Sequence, residues 1–367
     1  MSSPDESFKA LYLPDTGKPF IKTIPRPYTP TGSQSLVKVK YSAINPGDIR
    51  HFYMGYHSFV MGYEFTGDVI STGPDAPFRP GDAVMGITMP GHQRPIHAGA
   101  HQAYLLANPY MVWLRPDDFD LLTAVRMPGL AQTAADALFN VLGFAFPPLG
   151  MEGIDPADQA VLIWGGAGAV GWASIQLAKA AGIRYILVTA SKANLELVRD
   201  AGATHVFDYR APDVVDQVRG TVKELGVELE AVIDAVAVGL GIFERPGTPV
   251  PDYSKSTAAI AKSCLSDEVV KSGRARLAAV LPVPQDPDWD FALYSRKHDA
   301  DQERDHPGWW QKQEKIVTWL VENHKQYWKS LPPPKIIRNA EEALQGMEDA
   351  FTGKQGVQKL VIEHPML

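Results

Sequence analysis

Trp164-Gly165-Gly166-Ala167-Gly168-Ala169-Val170-Gly171 decides how this chain is read. An apolar run with strand character, Ala160-Val-Leu-Ile-Trp164, precedes it, and a helical pattern from Trp172 to Ala181 follows. The glycines recur as Gly166-x-Gly168-x-x-Gly171. Such spacing lets the backbone turn sharply between strand and helix and present free N–H groups and the positive helix end to a pyrophosphate. A bare match is also what an ordinary tight turn shows. The strand before, the helix after and a second strand at Tyr185-Ile-Leu-Val-Thr189 give it the context of a dinucleotide-binding turn.

The end of that second strand bears on which dinucleotide binds, because NAD-type sites place an Asp or Glu there to accept from the ribose 2′-OH. Here the chain reads Thr189-Ala190-Ser191-Lys192-Ala193-Asn194, with a hydroxyl, an ammonium and an amide but no acid. These groups suit a 2′-phosphate, so NADPH is the expected cofactor. Ser191 alternatively caps a helix starting at Lys192, a role compatible with the first. Tyr209, after the third strand, flanks the adenosine or simply packs.

Outward from the loop, apolar strands at His205-Val-Phe207, Ala231-Val-Ile-Asp234 and Leu277-Ala-Ala-Val-Leu281 alternate with helical stretches, the pattern of a doubly wound parallel sheet and an α/β fold. Upstream, Leu36 to Ile44 and the segment to Ile70 alternate as strands broken by turns at Asn45-Pro46-Gly47 and Gly73-Pro74. The Ala- and Leu-rich stretch Met127 to Leu142 has helical spacing, which puts a boundary near Arg126. A Pro- and Asp-rich connection, Val283 to Pro307, leads to an aromatic helical stretch, Trp309 to Trp328, and Leu360-Val-Ile362 returns as a strand of the first domain. The expected division is 1–126 with 308–367 as a β-rich domain and 127–307 as the cofactor domain.

At 367 residues, with 45% hydrophobic and 21% charged residues, the chain suits two domains. No run is apolar for the roughly 18 to 20 residues a bilayer crossing needs, and Met1 to Phe8 lacks the features of a signal or transit peptide, so a soluble, cytoplasmic protein is expected. A formal charge of -7 without a dense basic block argues against nucleic-acid and membrane partners. The single cysteine, Cys264, excludes an internal disulfide and a thiolate-rich metal centre. His51, His57, His92, His97 and His101 show no ligand spacing, so no metal is expected.

Val37-Lys-Val-Lys-Tyr-Ser-Ala-Ile-Asn45-Pro46-Gly47-Asp48, Gly62-Tyr-Glu64-Phe-Thr-Gly67-Asp-Val69, Pro80-Gly81-Asp82-Ala-Val84, the glycine loop and Gly202-Ala203 together resemble the medium-chain dehydrogenase/reductase superfamily. The resemblance implies a GroES-like catalytic domain and a Rossmann cofactor domain. Zinc alcohol dehydrogenases of that superfamily carry Cys where this chain has Asn45 and His where it has Tyr63, so a zinc-independent member is implied. Met111-Val-Trp113-Leu-Arg-Pro116, Thr133-Ala-Ala-Asp-Ala-Leu-Phe-Asn140-Val-Leu-Gly143, Phe207-Asp208-Tyr209-Arg210, and Gly353-Lys354 ahead of Lys359-Leu360-Val361 resemble the quinone oxidoreductase and trans-acting enoyl reductase branch, in its fungal polyketide form. The chain departs from the fungal form at Gly62-Tyr63-Glu64, which is closer to general quinone reductases, and in its complete Gly-x-Gly-x-x-Gly loop.

The resemblance implies hydride transfer from a nicotinamide, held between the domains, to an activated alkene, most simply an enoyl thioester presented by a polyketide synthase carrier protein. A free-standing reductase of small enones or quinones, and a non-catalytic NADPH-binding scaffold, are the alternatives; monomer and homodimer both fit. By position, Asn45 and Thr133 border the nicotinamide, Pro46 and Asp48 are further cofactor-binding residues, and Ala167, Gly168, Ala169 and Val170 border the pyrophosphate. Ser191, Lys192, Asn194 and Tyr209 take the adenosine phosphate, and Gln355 with Gly356 forms a returning loop. Thr133, Ala134, Asp136, Ala137 and Asn140 form a substrate wall. Arg50 and Tyr56 are the candidate catalytic groups, with Tyr53, Tyr63 and solvent competing for the proton-donor role.

Overall fold

The computed structural model describes residues 7–25, 27–91, 94–295, 308–354 and 358–367. It divides into two compact units: Met1–Gly129 with Phe243–Pro246 and Ser330–Leu367, and Leu130–Ile242 with Gly247–Lys329.

The first unit is β-rich. Strands β1 (Phe8–Leu13), β2 (Phe20–Ile24) and, after helix α1 (Gly47–Tyr53), β4 (Phe59–Val60) form a small antiparallel sheet in the order β2-β1-β4. The larger sheet is built on β3 (Ser35–Ala43), β5 (Glu64–Thr72), β6 (Ala83–Ile87), β7 (Tyr104–Ala107) and β8 (Val112–Leu114). Val37 and Val39 of β3 and Phe65 and Val69 of β5 are buried with Leu105 of β7 in one core of this unit. As the sequence implied, the chain comes back to this sheet. The last strand, β16 (Leu360–Glu363), runs antiparallel to β3 and parallel to β15 (Lys335–Ile337). Helices α2 (Leu121–Ala124) and α3 (Pro128–Ala135) lead out of the unit.

The second unit contains the parallel sheet: β9 (Ala160–Trp164), β10 (Tyr185–Ala190), β11 (His205–Asp208), β12 (Leu229–Asp234), β13 (Arg276–Ala279) and β14 (Trp289–Phe291), in the order β11-β10-β9-β12-β13-β14. Every residue of β9 is buried, as expected of a central strand covered on both faces. The order reverses at β9, so the crevice beyond its carboxyl end is the topological switch point where such sheets bind ligands. Cys264 sits in this core at 2% exposure.

Two expectations need correction. The helical stretch expected over Met127 to Leu142 ends as an α-helix at Ala135 and continues as a π-helical turn, Asp136–Val141, in which Leu142 N–H reaches back five residues to Ala137 O. The second domain also extends past 307. Helix Trp309–Glu322 belongs to it, because Asn140 Nδ2 donates to Trp309 O (3.1 Å) and Gln313 Nε2 donates to Gln132 O (3.1 Å) and Leu293 O (2.7 Å). Its apolar positions, Ile316 and Leu320 among them, are buried.

Candidate active site

The glycine loop connects β9 to helix α4 (Ala169–Ala181). Gly166 N–H donates to Thr189 O (2.9 Å) and Gly168 N–H to Gly165 O (3.0 Å), which folds the loop back over β10. The spacing has a steric cause. A Cβ at Gly166 would fall 2.1 Å from Val188 Cγ1, and one at Gly171 would fall 2.3 Å from the carbonyl oxygen of Gly165. Gly168 is the helix N-cap and offers no side-chain acceptor, so the first-turn amides of α4 point outward with no partner inside the helix. Gly168, Ala169 and Val170 are half-buried, and Ala167 is buried beneath them. These amides could hold an anion.

At the ends of β10 and β11, Lys192 and Tyr209 are exposed, and Tyr209 N–H donates to Ala190 O (3.2 Å), holding the two strand ends together. Ser191 does not cap the following turn: its Oγ accepts from Asn194 Nδ2 (3.0 Å), because the Asn194 amide competes for it locally. Sequence reasoning missed Arg210, whose guanidinium lies 5.1 Å from the Tyr209 ring centre. Its place directly after Tyr209 was the available signal. The acid at this edge, Asp208, ends β11 rather than β10 and accepts from Arg210 N–H (3.0 Å).

In the first unit, Asn45 and Pro46 form the turn before α1. The Asn45 amide is closed on both sides: Nδ2 donates to Glu64 Oε2 (2.9 Å) and Ala43 O (3.3 Å), and Oδ1 accepts from Lys359 Nζ. Glu64 Oε1 accepts from Gly129 N–H (3.1 Å), and Lys359 Nζ lies 3.4 Å from Glu64 Oε2. The side chains of Lys359 and Glu64 are 4% and 1% exposed. Neither was singled out in the sequence.

Asp48 is corrected from cofactor contact to internal strut. It is fully buried and accepts from Asn45 N–H (2.8 Å) and Gly62 N–H (3.0 Å), with His101 Nε2 at 3.3 Å. Burial pushes its carboxyl up, but His101 and the two amides outweigh that and hold it below the usual carboxylate range. His101 Nδ1 in turn meets Ser42 Oγ (2.8 Å), which meets His364 Nε2 (2.8 Å).

Tyr63 is buried and hydrogen-bonded to His51 Nδ1, and burial raises its pKa, so it is a poor proton donor to a ligand. Burial pushes His51 down to about 4. Tyr53 stacks on Phe351, with ring centres 5.8 Å apart. Tyr56 is half-buried with its ring edge-on to His51 (5.6 Å). Arg50 is half-buried as well, its pKa lowered by burial and partly restored by Glu244.

The expected substrate wall is reduced. Ala134, Asp136 and Ala137 are fully buried, and Asp136 is occupied by Asn140 Nδ2 (2.7 Å) and Leu293 N–H (2.8 Å). Thr133 and Asn140, each 9% exposed, are buried as well. Gln355, Gly356 and His92 lie outside the described residues. Among the described residues no three His, Cys, Asp or Glu side chains are grouped to hold a metal ion.

Two family models match the chain: the alcohol dehydrogenase GroES-like domain over residues 31–117 and the zinc-binding dehydrogenase domain over 169–242. The trans-enoyl reductase traG of Penicillium crustosum is 31% identical over 73% of this chain and 72% of its own length. The chain belongs to the medium-chain dehydrogenase/reductase superfamily, in its enoyl reductase branch. A second member, the trans-enoyl reductase himH of Aspergillus japonicus, is 35% identical, and there the match spans 50% of this chain and 54% of the relative. The quinone oxidoreductase of Coxiella burnetii shares the superfamily fold, with a TM-score of 0.62 at 22% identity over 97% of this chain and 99% of that one. Membership makes the chain an oxidoreductase with a nicotinamide cofactor.

Proposed function

We propose that this protein is an NADPH-dependent, zinc-independent reductase of an activated carbon–carbon double bond. Its substrate in this reading is an enoyl thioester of a polyketide intermediate, carried by an acyl carrier protein in the cytoplasm. The observation that carries the substrate class is the alignment with the trans-enoyl reductase of Penicillium crustosum over most of the chain. The choice of NADPH is supported by the exposed Lys192 and Arg210 beside Tyr209, at strand ends where β10 carries no acid.

Zinc independence is supported by the donor set. Asn45 and Tyr63 offer an amide and a buried phenol, and Glu64 is already paired with the Lys359 ammonium, which repels a second cation at that carboxylate. When bound, the reduced dinucleotide supplies a hydride for the β-carbon of the alkene. In the second unit the α4 amides would hold its pyrophosphate and Lys192 and Arg210 its 2′-phosphate; in the first unit Asn45 is the candidate contact for the nicotinamide. With Tyr63 tied to His51, the α-proton comes from solvent or from Tyr56.

A free-standing enone or quinone reductase is the second reading, favoured by the Gly62-Tyr63-Glu64 wording. Stopped-flow absorbance at the reduced-nicotinamide band separates them. Faster turnover of carrier-bound than of free enoyl thioesters is expected; equal rates, or turnover of enones and quinones alone, favours the second reading. No oxidation with any acceptor leaves a non-catalytic NADPH-binding scaffold.

A further inference from the structure

Lys359 and Glu64 form a deeply buried ion pair in the first unit. Such a pair is an expensive way to hold a fold together, because both ions lose their hydration and an apolar pair of similar volume serves stability at least as well. Its geometry does something packing cannot. The Asn45 amide has nearly identical ends, and which one points where is set by its partners. An ammonium has only donors and an ionised carboxylate only acceptors. With Lys359 at Oδ1 and Glu64 at Nδ2, a flipped amide would face two wrong partners, so the amide has a single orientation.

Glu64 also reaches further. Its second oxygen accepts from Gly129 N–H (3.1 Å), in the first turn of α3, where a carboxylate is favoured by the helix dipole. The approach leaves no room for a side chain: a Cβ at Gly129 would sit 2.9 Å from Glu64 Oε1 and 2.8 Å from Ile87 Cδ1. Thr133 follows four residues later, on the same face of the same helix. One carboxylate therefore grips the Asn45 side chain with one oxygen and the Gly129 amide at the start of α3 with the other.

We propose that Glu64 and its buried counter-ion Lys359 are positioning residues for hydride transfer. Glu64 clamps Asn45 to the start of α3, and Lys359 fixes the direction of the Asn45 amide. The inference rests on the reading above, in which Asn45 borders the nicotinamide. Misplacing that ring slows the hydride step without weakening the phosphate contacts that supply most of the binding.

The test uses the full chain with Lys359→Met, Lys359→Arg, Glu64→Gln and the double variant Glu64→Gln/Lys359→Met. Three quantities are read on protein shown to be folded by circular dichroism: the single-turnover hydride-transfer rate to an enone, the NADPH dissociation constant, and the emission of bound NADPH. Lys359→Met and Glu64→Gln are expected to slow hydride transfer about tenfold or more and to change the bound emission, with the NADPH dissociation constant within about threefold of wild type. Lys359→Arg restores most of the rate, and the double variant is no slower than the worse single one.

Folded variants with wild-type rate and emission overturn the proposal, even if they melt at lower temperature, since a structural role alone moves only the melting point. If Glu64→Gln fails to fold, the contrast between Lys359→Met and Lys359→Arg decides. A wild type that binds NADPH but reduces nothing sinks the reductase reading instead, and the emission comparison then decides this one.

Discussion

In the Gly165–Gly171 turn the backbone makes the decisive contacts, and the side chains matter by being absent: Gly166 admits Val188 and Gly171 admits the Gly165 carbonyl. In the Asn45–Asp48 turn the contacts are made by side chains drawn from far along the chain: Glu64, His101 and Lys359. The first is written in seven consecutive residues, the second in residues more than three hundred positions apart. A local site tolerates change everywhere except at its glycines. A dispersed one fails when any single partner is lost, because the remaining charge stays buried.

That contrast can be broken most forcefully at Gly171. Gly171→Ala sets a methyl against a carbonyl oxygen that cannot move aside, and NADPH affinity should fall at least about 100-fold, or about 2.7 kcal/mol, in a fluorescence titration. An affinity within tenfold of wild type would show that the loop yields. In the dispersed site, Lys359→Met leaves the Glu64 carboxylate buried without its counter-ion and should cost about 3 kcal/mol in urea unfolding. A cost below about 1 kcal/mol would mean that the Glu64 carboxylate finds other partners.

The two units should also differ towards acid. His51 and His364, buried in the first unit, are pushed by burial down to about 4 and about 3 from an ordinary 6.5. Below pH 6.5 the unfolded chain binds protons that these folded imidazoles do not. Each therefore removes up to about 1.4 kcal/mol per pH unit as pH falls from there towards the folded value. Asp48, held below its ordinary 3.8, acts in the same direction at lower pH still. In the second unit burial raises the Asp234 carboxyl despite its bonds to Ala237, Thr257 and Val236, so acid relieves rather than strains it. Limited proteolysis at pH 5 should cut the first unit first; cleavage in the second unit first would reverse this assignment.

Smaller effects are expected at the exposed phosphate groups. Lys192→Ala should lower NADPH affinity by about 1 to 3 kcal/mol and leave NADH binding nearly unchanged. Equal wild-type affinities for the two dinucleotides would remove the 2′-phosphate site altogether. Tyr56→Phe, at a half-buried ring packed edge-on to His51, should change turnover by less than about threefold; a tenfold loss would make it the proton donor.

The parallel sheet was legible because its strands are continuous apolar runs and its turn is made of glycine, both local signals. The return of the chain to the first sheet was legible from Leu360-Val-Ile362. Lys359, immediately before that strand, was not: by composition a lysine at a strand start belongs to solvent, and only the fold brings it against Glu64. Asp48 and Asp136 failed in the opposite way. Each is an acid in a stretch with the right wording for a site, yet each spends its oxygens on internal amides. The π turn after Ala135 shares the helix's apolar spacing, so periodicity could not reveal it.

A reductase of enones and enoyl thioesters would work among soft electrophiles that alkylate thiols. This chain of 367 residues has one thiol, Cys264, and the fold removes it from that chemistry. At 2% exposure and with burial pushing its pKa up to about 12, it offers substrates almost no thiolate. Loss of activity during turnover would therefore have to come from somewhere other than cysteine alkylation. A cysteine introduced on the surface would be the one site that a maleimide probe labels in the folded protein.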